Sequence, residues 1–307
     1  MFGDGSSSCE SRMFGDGSPA SEIRTSEDGS CTCEIRLVSA DSSGVGKIAQ
    51  MTADSALDLP PLHESLTWLT PLSEDRAGRL VRFLAEPQPA DVLDMGCGWG
   101  ELLLRVLAAA PQARGRGVDS AAGPIARATH QAAARGLAER ATFVAMTGME
   151  AEAEPAEAVI CIGASHIWGL PVEDAQPLDY VAALRALRQL VRPGGQMVYG
   201  EAIWSRAPHP AAMAPLAGRE DEYLTAGALE EQVQAAGFEV IDHDQASLQE
   251  WDVFEAGFRA RYTRWLELNG GDHPAAAEVR RRHEQQRAAY QDGYRGVLGM
   301  SYFCLRG

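Results

Sequence analysis

The sequence predicts an α/β protein: a doubly wound parallel sheet of seven strands, with helices on both faces and helical cap insertions. Three observations predict it. Short apolar runs alternate with helical patterns from residue 91 onward, the run Val92-Leu93-Asp94-Met95 stops at the glycine-rich turn Gly96-Cys97-Gly98-Trp99-Gly100, and Asp119 ends the next apolar run. Alternation of this kind puts crossover helices over both faces of a parallel sheet.

Residues 1–50 are rich in Ser, Gly, Asp and Glu, and repeat Met-Phe-Gly-Asp-Gly-Ser at 1–6 and 13–18. They bury too little apolar surface to offset their ordering entropy, so a disordered tail is expected, with Met51 a candidate functional start and 51–307 the folded domain. Between 62 and 84, Leu66, Leu69, Leu80, Val81 and Leu84 give a helical pattern broken at Pro71. The elements then expected are strand 91–95, helix 100–110, strand 115–119, helix 123–136, strand 141–146, strand 157–163, helix 178–191 and strand 195–201. Helix 225–236 stops at Gly237, strand 238–242 follows, and strand 297–305 closes the chain.

Two insertions remain. Residues 204–223 are rich in Pro and Ala, and 250–290 read as two helices, the first with Asp252 as N-cap and Phe254, Phe258, Tyr262 and Trp265 at helical spacing. That stripe is expected to pack on the sheet, and the same helix can serve as a substrate lid. Ligands of open parallel sheets bind at the carboxyl ends of the strands, so both insertions can roof a site there.

Composition narrows the ligand. The formal charge is −16, and Lys47 is the only lysine, which disfavours nucleic acid and excludes Schiff-base chemistry. Gly44-Val45-Gly46-Lys47-Ile48 fails as a phosphate-binding turn because Asp41 and Ile48 occupy its first glycine and its Ser/Thr positions. Six cysteines show neither a C-x-x-C pair nor zinc spacing, so no metal site is expected. No apolar run approaches the ~20 residues of a membrane span, and no signal-peptide pattern opens the chain; a cytoplasmic protein is expected.

The turn itself departs from the dinucleotide pattern G-x-G-x-x-G, whose third glycine would fall on Glu101. A carboxylate there repels a pyrophosphate, whereas Asp94 and Glu101 suit a cationic or zwitterionic ligand, and Asp119 stands where an acidic residue grips ribose hydroxyls.

The pattern D-x-G-x-G-x-G after a strand, with an acidic residue ending the next strand, resembles the class I (Rossmann-like) S-adenosylmethionine-dependent methyltransferases of the bacterial small-molecule type. The resemblance spans about residues 66–307 and includes Arg192-Pro193-Gly194-Gly195, the turn that in the family precedes the fifth strand. It implies that the last strand enters antiparallel, giving a mostly parallel seven-stranded sheet. It also implies S-adenosyl-L-methionine as cofactor, held by Asp94, Gly96, Cys97, Gly98, Gly100, Asp119, Ser120, Thr147, Gly148, Met149 and Gly163. Many relatives carry an acidic residue for the adenine amine where this chain has Thr147, whose hydroxyl is a weaker acceptor.

Methyl transfer needs alignment and a dry site, and a base where the acceptor must lose a proton. Cys161-Ile162-Gly163-Ala164-Ser165-His166-Ile167-Trp168-Gly169 ends the fourth strand, making His166 the candidate base or a residue that orients substrate. The Asn-Pro-Pro-aromatic and Pro-Cys signatures of base-methylating relatives are missing from it. Glu201 ends the fifth strand and is a second catalytic candidate, with Trp168 and Trp204 as apolar walls and Trp251 and Tyr262 in the roof. Two readings stay open: methyl transfer to O, N, S or C of a small molecule in secondary metabolism, and a cofactor-binding protein that transfers no methyl group, either a regulatory or partner module or a catalyst of a non-methylating reaction.

Overall fold

The chain folds into α1 (Glu74–Ala85), β1 (Asp91–Met95), α2 (Glu101–Ala109), β2 (Arg114–Asp119), α3 (Ala122–Ala134), β3 (Ala141–Ala145), β4 (Ala156–Ile162), α4 (Tyr180–Leu190), β5 (Val191–Trp204), α5 (Ala226–Ala235), β6 (Glu239–Gln245), α6 (Leu248–Asn269), α7 (Ala276–Ala288) and β7 (Leu298–Arg306). This computed structural model describes residues 57–147, 153–168 and 177–307, so the expected tail and the site candidates Gly148 and Met149 lie outside the described residues. The seven strands form one sheet in the order β3-β2-β1-β4-β5-β7-β6. Strands β1 to β5 pair in parallel, and β7 runs antiparallel to both β5 and β6, as the family resemblance implies.

The order reverses beside β1, which is flanked by β2 and β4 and reads as an almost continuous buried run. Strand order reversal opens a crevice at the carboxyl edge, and the glycine turn sits there. Two apolar layers cover the sheet. Leu103, Leu104, Leu107 and Trp99 belong to one, and Leu184, Leu187, Leu229 and Val233 to the other.

Three local expectations are corrected. The pattern read as helical from 62 yields only a short turn at Leu62–Glu64, and α1 starts at Glu74, where the Ser73 hydroxyl caps the Arg76 N–H. Pro71 carries no N–H and its ring disfavours the helix before it, so residues 65–72 run as an irregular strap instead. Helix α6 is capped by Ser247, not Asp252: a reciprocal box joins Ser247 and Glu250, while the Asp252 carboxylate accepts from Arg295 and the Tyr290 hydroxyl. The aromatic stripe divides, Phe254 and Phe258 entering the main core and Tyr262 and Trp265 packing with Ala276 and Val279 of α7.

Helix α6 is bound to α1 by a buried ion pair. Arg76 donates from Nε and Nη2 to the two oxygens of Glu250 at 2.9 Å each, and from Nη2 to the Gln245 carbonyl at 2.8 Å. Burial by itself would raise the Glu250 carboxyl, but hydrogen bonds from Arg76 and Ser73 outweigh it and hold the group well below the usual carboxylate range. Removing one partner of such a pair strands the other in the core, so Glu250→Ala is expected to lower unfolding free energy by about 3 kcal/mol or more. Denaturant titration checks this. Because the folded-state pKa is depressed, the stabilisation is complete above the ordinary glutamate range and is lost as pH falls through and below it.

Candidate active site

The turn after β1 exists because no side chain fits there. Gly96 has φ +74°, and a Cβ on it would overlap Ala164; Gly100, left-handed at the N-cap of α2, would place a Cβ inside the Phe143 ring. Backbone bonds then fix the turn to β2. The Gly96 and Cys97 N–H groups donate to the Val118 carbonyl at 2.9 and 3.0 Å, and Gly98 N–H donates to Oδ2 of Asp119 at 2.8 Å. The other Asp119 oxygen accepts from the Ala121 N–H at 2.9 Å, so the carboxylate joins the glycine turn to the start of α3.

Two carboxyl groups dominate the electrostatics. Asp94 is 4% exposed, and burial first, then the neighbouring negative charge of Asp119, push its carboxyl up to about 8. No cationic side chain among the described residues pairs with Asp94. Glu101, read from the sequence as a second anion for the ligand, is instead neutralised: Arg105 meets it at 2.7 Å and Arg135 at 2.5 Å. Asp94 and the arginine-paired Glu101 line the cleft, and Asp119 stands beside Asp94. Cys97 is no nucleophile, since burial raises its thiol far above neutral pH.

Over the turn lies the strap, an element that sequence reasoning missed as part of the site. Thr67, Trp68, Leu69, Thr70 and Leu72 face Asp94, Gly96, Cys97, Gly98, Trp99, Glu101, Leu102, Ile160 and Ile162 across a cleft of about 520 Å³, part of it open to solvent. Three long-range contacts hold the strap. Trp99 Nε1 donates to the Thr67 carbonyl at 2.8 Å, the Tyr302 hydroxyl donates to the Pro71 carbonyl at 3.0 Å, and the Tyr302 and Thr70 hydroxyls bond at 2.8 Å. The only sequence signal was the helical pattern failing at Pro71 beside an uncommon cluster of Trp and Thr.

His166 stands in a short turn, Ser165–Ile167, after β4, half-buried. Burial lowers its imidazole below the ordinary value, opposed by the Asp119 carboxylate, whose field reaches it. The turn follows the carboxyl end of β4, and His166 is not among the residues that line the cleft. Gly163 donates its N–H to Gly200 at 2.8 Å and is exposed at φ +66°; Ser120 and Thr147 are exposed at the ends of β2 and β3. Trp168 is half-buried beside the apolar layer below α4.

The remaining candidates are not brought to the cleft. Glu201, expected at a pocket rim, is 4% exposed inside the sheet layer. Trp204 packs edge-on against Tyr223 and donates from Nε1 to the Glu220 carbonyl at 2.7 Å; Trp251 lies edge-on to Phe254 and Tyr294 in the core. Tyr262 is fully buried between α6 and α7, away from the turn. All three Trp and Tyr positions are thus structural, because the insertions fold onto themselves and the strap, not a wall from either insertion, closes the cleft.

Known proteins are similar to this chain in sequence and fold. A family described as "Methyltransferase domain" matches residues 92–195. The crystal structure of YjhP from Escherichia coli is 28% identical, covering 80% of this chain and 97% of that chain with a TM-score of 0.67. A Geobacter sulfurreducens S-adenosylmethionine-dependent methyltransferase solved with S-adenosyl-L-homocysteine is 27% identical, covering 81% and 98%, with a TM-score of 0.68. A Thiobacillus denitrificans methyltransferase, also solved with S-adenosyl-L-homocysteine, is 26% identical over 81% and 98%, with a TM-score of 0.66. With its seven-stranded sheet and the glycine turn at the end of β1, the chain has the Rossmann-like fold of the class I S-adenosylmethionine-dependent methyltransferases to which it is similar.

Proposed function

We propose that the protein transfers a methyl group from S-adenosylmethionine to a small-molecule acceptor, with His166 as general base. The observation that carries this reading is the buried Asp94 carboxyl, left without a cation beside Asp119 and facing a cleft roofed by the strap. An acid that lines the cleft and gains its charge beside a cation, with the Asp119 carboxylate next to it, favours a positively charged ligand over a phosphate. The cofactor fits these residues: Asp119 is a carboxylate acceptor for ribose hydroxyls, Asp94 faces the cationic portion, and Gly98 leaves room where a Cβ would come within 3.0 Å of Leu69. When bound, S-adenosylmethionine supplies an electrophilic methyl group on a sulfonium.

What the chain adds is placement, dryness and a proton acceptor. Trp68, Leu69, Leu72, Trp99, Ile160 and Ile162 line the cleft with apolar surface. The neutral ring of His166 accepts the acceptor's proton on an unprotonated nitrogen, and the Asp119 field stabilises the imidazolium that results. Trp168 is the aromatic side chain next to that turn and serves as a wall for the acceptor. A small acceptor agrees with a cleft of this size and a charge of −16, which repels nucleic acid. No described helix is long and apolar enough to cross a membrane. A cytoplasmic setting and a role in secondary metabolism are consistent with this reading.

Turnover with a panel of small phenols, amines and thiols, read as S-adenosylhomocysteine release, tests the reaction; tight cofactor binding without transfer to any acceptor would favour a binding module. In a productive assay His166→Ala should lower kcat by about 10²- to 10⁴-fold with cofactor Kd nearly unchanged. Asp119→Ala should weaken cofactor binding by about 1.5–3 kcal/mol per lost charge-assisted bond, measured by calorimetry. Asp94 is protonated below about 8, so cation binding takes up its ionised form, and proton release on binding is expected near neutral pH. Calorimetry in buffers of different ionisation enthalpy measures it, and Asp94→Asn should abolish that component.

A further inference from the structure

Glu201 is a carboxyl group in the interior of the sheet, opposite Ser301 of β7, and no cation among the described residues pairs with it. Burying such a group is costly unless its hydrogen bonds serve a purpose. Its Oε2 accepts the backbone N–H of Ser165 at 3.3 Å, and its Oε1 accepts the Ala202 N–H at 3.0 Å. Two residues earlier on β5, the fully buried Tyr199 hydroxyl bonds the Ser165 hydroxyl at 2.8 Å. Side chains two apart on a strand face the same way, so β5 grips Ser165 twice, by its backbone and by its side chain. Ser165 opens the turn that carries His166, and Ala164 on its other side abuts Gly96 of the glycine turn.

We propose that Glu201 and Tyr199 are positioning residues that act through Ser165, locking the turn that presents His166 to the acceptor. Glu201 itself touches neither acceptor nor cofactor. This rests on the reading of His166 as the base. The grip explains why a carboxyl group is kept at a place where an apolar residue would pack: an apolar side chain cannot accept the Ser165 N–H. The charged groups whose fields reach this corner are Asp94 and Asp119 at the ends of β1 and β2, and Glu201 on β5; the Asp119 charge is the one felt by His166.

The test is an NMR titration of the His166 ring in ligand-free, histidine-labelled protein, run on wild type, Glu201→Leu, Glu201→Gln and Ser165→Ala, the His166 signal being assigned with His166→Ala. Released from its mount, the ring gains solvent and its pKa should move up toward the ordinary histidine value in Glu201→Leu. Glu201→Gln keeps an acceptor oxygen and should titrate close to wild type, while Ser165→Ala, which loses only the hydroxyl contact, should fall between them. In steady-state assays Glu201→Leu should lower kcat about ten- to a hundredfold with little change in KM for the cofactor, as expected for a misplaced reacting group. Identical His166 titrations in all four folded proteins, or Glu201→Gln as perturbed as Glu201→Leu, would overturn the proposal. Failure of the base assignment is seen separately: full turnover in His166→Ala removes that reading, and the titration still reports whether β5 mounts the turn.

Discussion

Close approach of side chains to the glycine backbone at the end of β1 is the constraint on which the rest of the molecule depends. Gly96 must lie against Ala164 of the β4 turn and Gly100 against the Phe143 ring of β3, and both need a left-handed backbone. Only with these contacts made do the ends of β1, β2 and β4 come together at one point. Asp94, Asp119 and His166 are each carried there by a different strand, so their juxtaposition is a property of the strand order and of no single segment.

The electrostatic design follows from that convergence. Asp94 and Glu101 line the cleft, Asp119 stands close enough to raise Asp94, and Glu101 is neutralised by Arg105 of its own helix and Arg135 at the end of α3. The protein thereby concentrates negative potential at one end of the cleft and removes it from the helix N-terminus beside it. A ligand with positive charge gains from this arrangement and an anionic one loses. His166 sits at the margin of the same field, neutral because it is partly buried and biased toward accepting a proton because Asp119 is near.

The strap shows how distant parts of the chain close the site. Its ties run to Trp99 on the turn and to Tyr302 on the last strand, and the helix that follows it is anchored to α6 by Arg76 and Glu250. The long insertion thus supports the roof from behind. Its aromatic residues are consumed in holding α6 against the core and α7, which is why Trp251 and Tyr262 do not face the cleft.

The sequence by itself determined the sheet, the glycine turn and the acids at the ends of β1 and β2, because these depend on local signals. Apolar periodicity marks strands and helices, glycines at alternate positions mark a turn that excludes Cβ atoms, and an acid about twenty residues on marks the next strand end. Helix starts were less legible where a serine cap competed with a plausible aspartate, as at Ser247 against Asp252. Only the tertiary structure decided which groups remain charged toward the ligand and which are spent internally. Glu101 and Glu201 look alike in sequence, as acids beside a turn or strand end, yet one is paired with Arg105 and Arg135 and the other is buried against Ser165. Those partners lie up to tens of residues away, and a carboxyl group's role is set by its burial and neighbours in space, which no local pattern encodes.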